Sequence, residues 1–148
     1  RRDGELRLLP LVKGTWKRYP NHSIDRQHVY APVDRIPAEI ERFVEQLGSP
    51  AFVTAHPVAQ ASYALYALNC IHPFADGNGR VARALAAICL ERSTGRPLPI
   101  EFPPKSHYLD ALAAADDGRY ELLVRFVAER AAATIRSLLS RFGTGTTT

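Results

Sequence analysis

The chain has 148 residues, enough for one domain around one core, and its 46% hydrophobic and 23% charged content is that of an ordinary globular protein. No apolar run approaches the roughly 20 residues that span a bilayer, which argues against a membrane protein. The net charge of +4 rests on 16 arginines and 3 lysines. That bias suits bidentate contact with phosphate or carboxylate, and without a basic run interleaved with aromatics it does not indicate direct nucleic-acid binding.

A single domain over residues 1–148 is expected. Leu6 to Val12 and His28 to Ala31 are short apolar or β-branched stretches, separated by the turn-rich Lys13 to Asp25. They predict a β-hairpin flap over about residues 6–31, with Pro10 and Pro32 confining its strands to an edge. A helical core over about residues 36–142 follows. Pro37 suits a first helical position, Ile40, Phe43, Val44 and Leu47 share a face, and Gly48 marks the end. A second helix is predicted from Pro57 to Asn69, with His56 before it in a structural role. A third carries Val81, Leu85, Ile88 and Cys89 and closes near Gly95; Ala84, Ala86 and Ala87 make it apolar nearly all round, which predicts a central, buried helix. Ser106 is a cap for a short helix holding Leu109 and Leu112. A last helix runs from about Arg119 to Phe142, and residues 143–148 form a disordered tail. The fold class is therefore mainly α.

No signal-peptide pattern opens the chain, and with no methionine in the sequence, Arg1 reads as an artificial or processing boundary. Cys70 and Cys89 lie in apolar helical contexts and read as reduced thiols, which fits a cytoplasmic location, or a host cytoplasm for a secreted effector. Cys70-x-His72 does not read as a metal pair, because His22, His28, His56 and His107 lack zinc-ligand spacing.

The most informative stretch is His72 to Arg83, HPFADGNGRVAR. Gly77 and Gly79 around Asn78 let the backbone approach a ligand and turn several N–H groups inward, forming an anion cradle. Arg80 and Arg83 lie three apart, in what should be the first turn of a helix, where positive charge is unfavourable unless a polyanion sits there. Asp76 beside such a cradle makes sense as a ligand to a hard cation such as Mg²⁺ bridging to phosphate oxygens. His72 can accept a hydroxyl proton, and Phe74 pins the loop to the core. Taken singly, each residue has a plainer explanation: an Asp-Gly-Asn-Gly turn, a structural histidine, a surface arginine. Together they describe transfer of a phosphorus group from a Mg²⁺-nucleotide to an alcohol. An EF-hand and a Walker-type loop are both excluded, for lack of alternating acidic ligands and of a Gly-Lys-Ser/Thr ending.

The run His72-Pro73-Phe74-Ala75-Asp76-Gly77-Asn78-Gly79-Arg80-Val81-Ala82-Arg83 resembles the full signature of the Fic (filamentation induced by cAMP) domain family. The similarity extends to Tyr30-Ala31-Pro32, to His56-Pro57-Val58, and to Tyr108, Ala111-Leu112 and Gly118. It implies a Fic-type helical bundle that transfers AMP from ATP to a Tyr, Thr or Ser hydroxyl of a target protein, releasing pyrophosphate. His72 would be the base and Asp76 the Mg²⁺ ligand. Gly77, Asn78, Gly79, Arg80, Arg83 and Tyr108 would bind the nucleotide and its phosphates, with the two arginines completing the catalytic set. Flap residues Lys13, Thr15, Trp16 and Tyr19 would hold the target segment as an added strand. Gly79 stands where Doc-type kinases carry Lys, which favours AMP transfer. Leu109 and Asp116 stand where relatives place an aromatic and an Asn against adenine, which leaves open a kinase-type reaction, phosphocholine or UMP transfer, or a non-catalytic nucleotide-binding module. The self-inhibitory Ser/Thr-x-x-x-Glu-Gly/Asn motif is not found in these residues. It lies upstream of Arg1, comes from an inhibitory partner, or does not exist for this protein.

Overall fold

A computed structural model of the chain describes residues 12, 14–22, 28–101 and 105–142. A single-turn 3-10 helix, Val33–Arg35, leads into six α-helices: α1 Ile36–Gly48, α2 Pro50–Thr54, α3 Pro57–Ile71, α4 Asn78–Thr94, α5 Lys105–Asp116 and α6 Tyr120–Phe142. Prolines open the first three, at the positions where a missing N–H costs nothing. Ser49 Oγ accepts the Phe52 N–H at the start of α2, a helix the sequence did not predict. His56 is structural as expected: its Nδ1 accepts the Val58 N–H and caps α3. Gly95, at φ 69°, ends α4, and Gly118, at φ 84°, turns the chain from α5 into α6. Ser106 falls inside α5 and does not precede it.

The central helix is α3 and not α4. Eight residues of α3 are buried, from Gln60 to Ile71, and it packs against α1, α4 and α6, most extensively against α4. α4 turns Ala82, Ala86, Ala87 and Leu90 inward, while Val81 and Ile88, expected on the buried stripe, are exposed. Small side chains on this face let the two helix backbones come close, and close approach outweighs burying two more branched side chains. Along α6, Leu123, Val127 and Ala131 reach the core, whereas Ile135 and Leu138 are exposed.

The N-terminal expectation needs correction. No strand occurs among the described residues. Residues 6–11, the first arm of the predicted hairpin, lie outside the described residues, as do Lys13 and the tail 143–148. The second arm, His28 to Ala31, is extended coil whose backbone bonds to a helix end: the Ala31 N–H donates to the Cys70 carbonyl at 3.1 Å. The segment before it is tied to the α3–α4 loop by the Lys17 N–H, which donates to the Pro73 carbonyl at 2.7 Å. These N–H groups are satisfied by helix-end and loop carbonyls.

Lys17 is buried, its Nζ has no hydrogen-bond partner among the described residues, and its nearest compensation is the Tyr30 ring face 5.6 Å away. Burial pulls the ammonium's pKa below its ordinary 10.5. The unfolded chain therefore holds this proton more tightly than the folded one, so the charge opposes folding at neutral pH and opposes it less as pH climbs towards 10.5. Lys17→Met should accordingly raise the melting temperature at pH 7 by a few degrees, with a margin that shrinks at alkaline pH. Thermal unfolding of both forms between pH 7 and pH 10 checks this; a variant that melts lower at pH 7 would show that Lys17 is stabilising.

Candidate active site

The helical hydrogen bonds of α3 end at His72, whose N–H donates to Leu68 O at 2.9 Å. His72 sits at φ 50°, ψ 56°, the only non-glycine residue at positive φ among those described. A β-carbon makes that conformation costly, of order 1–3 kcal/mol, and it persists only where the surroundings enforce it. Here they do. Pro73 is fully buried, the Nδ1–H of the imidazole donates to the Asn69 carbonyl at 3.2 Å, and the ring stacks on Tyr30 with centroids 3.9 Å apart. A carbonyl can only accept, so this bond puts the proton on Nδ1 and the basic lone pair of the neutral ring on Nε2.

Asn69 is itself fixed. Its Nδ2 donates to Leu65 O at 2.7 Å and to the Tyr108 hydroxyl at 2.8 Å. Tyr108, expected among the nucleotide contacts, is buried against Phe126 and lines neither groove beside the loop. What it touches is the residue that orients His72.

The loop 73–77 is closed by Asn78, which is 2% exposed. Its Oδ1 accepts the Phe74 N–H and its Nδ2 donates to the Phe74 carbonyl, both at 2.8 Å. The expected cradle residue thus spends its side chain on the loop itself. Phe74 packs on Trp16 with centroids 5.6 Å apart, and Asn21 Nδ2 donates to the Phe74 and Ala75 carbonyls, both at 3.4 Å.

Gly77, at φ 85°, takes the N-cap position of α4 and offers no capping side chain, so the first-turn N–H groups have no cap from it. No acidic residue stands in that turn. The two glycines also make room for the two arginines. A β-carbon on Gly77 would lie 3.1 Å from an Arg80 guanidinium nitrogen, and one on Gly79 would lie 3.3 Å from an Arg83 nitrogen. Both guanidinium groups therefore reach back over the positive end of the helix, an arrangement that favours an anion there.

Asp76 and Arg80 form an exposed ion pair at 3.1 Å, their side chains 67% and 73% exposed. One exposed carboxylate beside an anion cradle fits Mg²⁺, which keeps most of its waters and takes one or two protein carboxylates together with phosphate oxygens. Beside Asp76 and Arg80 runs a groove of about 440 Å³, walled by Phe74, Gly77 and Val81 on one side and by Val12, Gly14 and Thr15 on the other. Of the predicted flap residues, Thr15 lines this groove, Trp16 packs on Phe74 while 42% exposed, and Tyr19 is 59% exposed beside a second cleft. Asn69 and Lys17 were not singled out by sequence reasoning, and Tyr30 entered only through the resemblance of Tyr30-Ala31-Pro32; the Tyr30–His72 and Asn69–Tyr108 pairings join distant parts of the chain.

Comparisons with known proteins point to one family. The family model described as Fic/DOC family matches residues 5–90, more than half of the chain. "Protein adenylyltransferase Fic" of Drosophila melanogaster is 40% identical over 90 residues, covering 61% of this chain and 18% of that protein. "Protein adenylyltransferase fic-1" of Caenorhabditis elegans is 31% identical over 106 residues, covering 72% of this chain and 21% of that protein. The chain thus spans about a fifth of the length of these curated relatives. Among solved structures, C. elegans Fic-1 (residues 134–508) aligns with a TM-score of 0.70 at 29% identity, over 86% of this chain and 38% of that one. A Fic domain-containing signaling protein from Bacteroides thetaiotaomicron aligns with a TM-score of 0.76 at 25% identity, over 85% of this chain and 54% of that one. From the match to its family model, on top of the loop and helix end just described, the chain belongs to the Fic/DOC family.

Proposed function

We propose that this chain transfers AMP from Mg²⁺-ATP to a hydroxyl side chain of a target protein. The observation that carries the reading is the 3.2 Å contact between His72 Nδ1 and the Asn69 carbonyl: an acceptor there assigns the proton to Nδ1 and leaves Nε2 as the basic atom of the neutral ring. In the proposed reaction Nε2 takes the proton of a Tyr, Thr or Ser hydroxyl. The hydroxyl oxygen then bonds to the α-phosphorus, the bond from that phosphorus to the bridging oxygen breaks, and pyrophosphate leaves. Most of the rate comes from positioning and charge neutralisation. The N–H groups of the first turn of α4 and the guanidinium groups of Arg80 and Arg83 take the phosphate charge. Asp76 would hold Mg²⁺, which supplies further neutralisation at the phosphates.

The target segment would lie in the groove between residues 12–15 and the loop, where Thr15 and the half-exposed Trp16 offer contacts. An inhibitory element, from a partner protein or from a longer form of the chain, would act by placing a carboxylate on Arg83 in competition with the phosphates. The names of the relatives support adenylyl transfer as the reaction.

Two outcomes are expected. With a cell lysate as target source, protein should acquire label from α-labelled ATP and not from γ-labelled ATP, and His72→Ala should lower that incorporation by about 10²–10⁴-fold. Label from the γ position alone would make the protein a kinase; label from CDP-choline alone would move the donor. Tyr30→Ala, which removes the surface under the imidazole, should lower kcat while leaving the KM for ATP nearly unchanged. A rise in KM at constant kcat would instead place Tyr30 against the nucleotide.

A further inference from the structure

The sequence offers no zinc-type spacing, yet the fold gathers one side chain from each of three separated segments. His28 comes from the extended stretch before α1, Cys70 from the end of α3, and Asp116 from the last turn of α5. A ring nitrogen of His28, Sγ of Cys70 and a carboxylate oxygen of Asp116 lie within 4.8 Å of one another. Donors gathered on one tetrahedral zinc ion lie about 3.3–3.6 Å apart, so small side-chain rotations complete the set.

A second observation points the same way. The His28 side chain is 8% exposed; its Nδ1 lies 2.7 Å from Asp116 Oδ2, and its Nε2 is buried with no hydrogen-bond partner among the described residues. Nδ1 is thus the nitrogen aimed at the cluster, from a side chain more than nine-tenths buried, and on metal binding its proton moves to Nε2. Around the cluster the support is already built. The Tyr66 hydroxyl donates to Asp116 Oδ1 at 3.1 Å. Tyr30 packs edge-on against the His28 ring with centroids 5.0 Å apart. Metal-bound histidines and carboxylates depend on such outer contacts for their orientation.

We infer that His28, Cys70 and Asp116 form a zinc site, three protein donors with a water completing the tetrahedron. One nitrogen, one thiolate sulfur and one carboxylate oxygen suit Zn²⁺ better than Mg²⁺ or Ca²⁺, which prefer oxygen alone. On binding, the Cys70 thiol loses its proton to solvent and the thiolate pairs with the ion; no redox change is involved. The ion would tie the segment preceding α1 to α3 and α5. Because Tyr30 lies two residues after His28 and stacks on His72, the site would hold in place the surface on which the imidazole rests. It is distinct from Asp76 and the phosphate cradle.

The test is titration of the metal-stripped chain with Co²⁺, followed by displacement with Zn²⁺. The expected result is stoichiometric binding with a thiolate-to-cobalt charge-transfer band, abolished in Cys70→Ser and retained in Cys89→Ser, together with a higher melting temperature for the zinc-loaded form. Tyr66→Phe, which keeps all three donors, should weaken zinc by about 10–100-fold with unchanged helical circular dichroism. Absence of the band in the unaltered chain, or its persistence in Cys70→Ser, overturns the inference. Should Cys70→Ser fail to fold, Asp116→Asn and Tyr66→Phe decide: zinc affinity equal to that of the unaltered chain in both overturns it as well.

Discussion

Two hydrogen bonds between one amide side chain and one backbone unit hold the reactive loop in shape. Asn78 gives and receives a bond with Phe74, both at 2.8 Å, from a position almost wholly out of solvent. A charge-neutral amide suits this closure because it can donate and accept at once; a carboxylate could only accept. Since Asn78 is also the first residue of α4, the same side chain fixes the distance between the helix end, the proposed phosphate site, and His72, the proposed base. Catalytic geometry of this kind tolerates little slack, and burial keeps water from competing for either bond.

Around that clasp the molecule accepts strain and an unpaired charge. His72 adopts a left-handed backbone conformation that a glycine would take at lower cost. Its orientation is enforced from both sides of the chain, by Asn69 within α3 and by Tyr30 from the segment before α1. Tyr108 takes part at one remove, through its bond to Asn69. The N-terminal segment is therefore a working part of the site: it lends the ring under His72, a wall of the groove, and the Lys17 backbone bond to Pro73.

What could be read from the sequence follows the range of the interactions. The loop 72–83 was legible because its chemistry is contiguous and its glycines have few other uses. The starts of α1 and α3 and the ends of α1 and α4 were legible from Pro37, Pro57, Gly48 and Gly95, whose effects are local. Reading large apolar residues as the buried stripe failed on α4, where alanines make the close contact with α3 and leave Val81 and Ile88 outside. The β-flap expectation overlooked that an extended stretch can satisfy its N–H groups on a helix end, as Ala31 does on Cys70. Pairings such as His28 with Asp116, 88 residues apart, leave no mark in spacing.

On this reading the Asn78 clasp, more than the phosphate-facing groups alone, would create the proposed nucleotide site. The most direct measurement is ATP affinity by calorimetry for the unaltered chain and for Asn78→Ala, at a temperature where circular dichroism shows both to be equally helical. Asn78→Ala is expected to fold with lower stability and to lose ATP binding, although it keeps His72, Asp76, Arg80 and Arg83. Unchanged ATP affinity in that variant would contradict it.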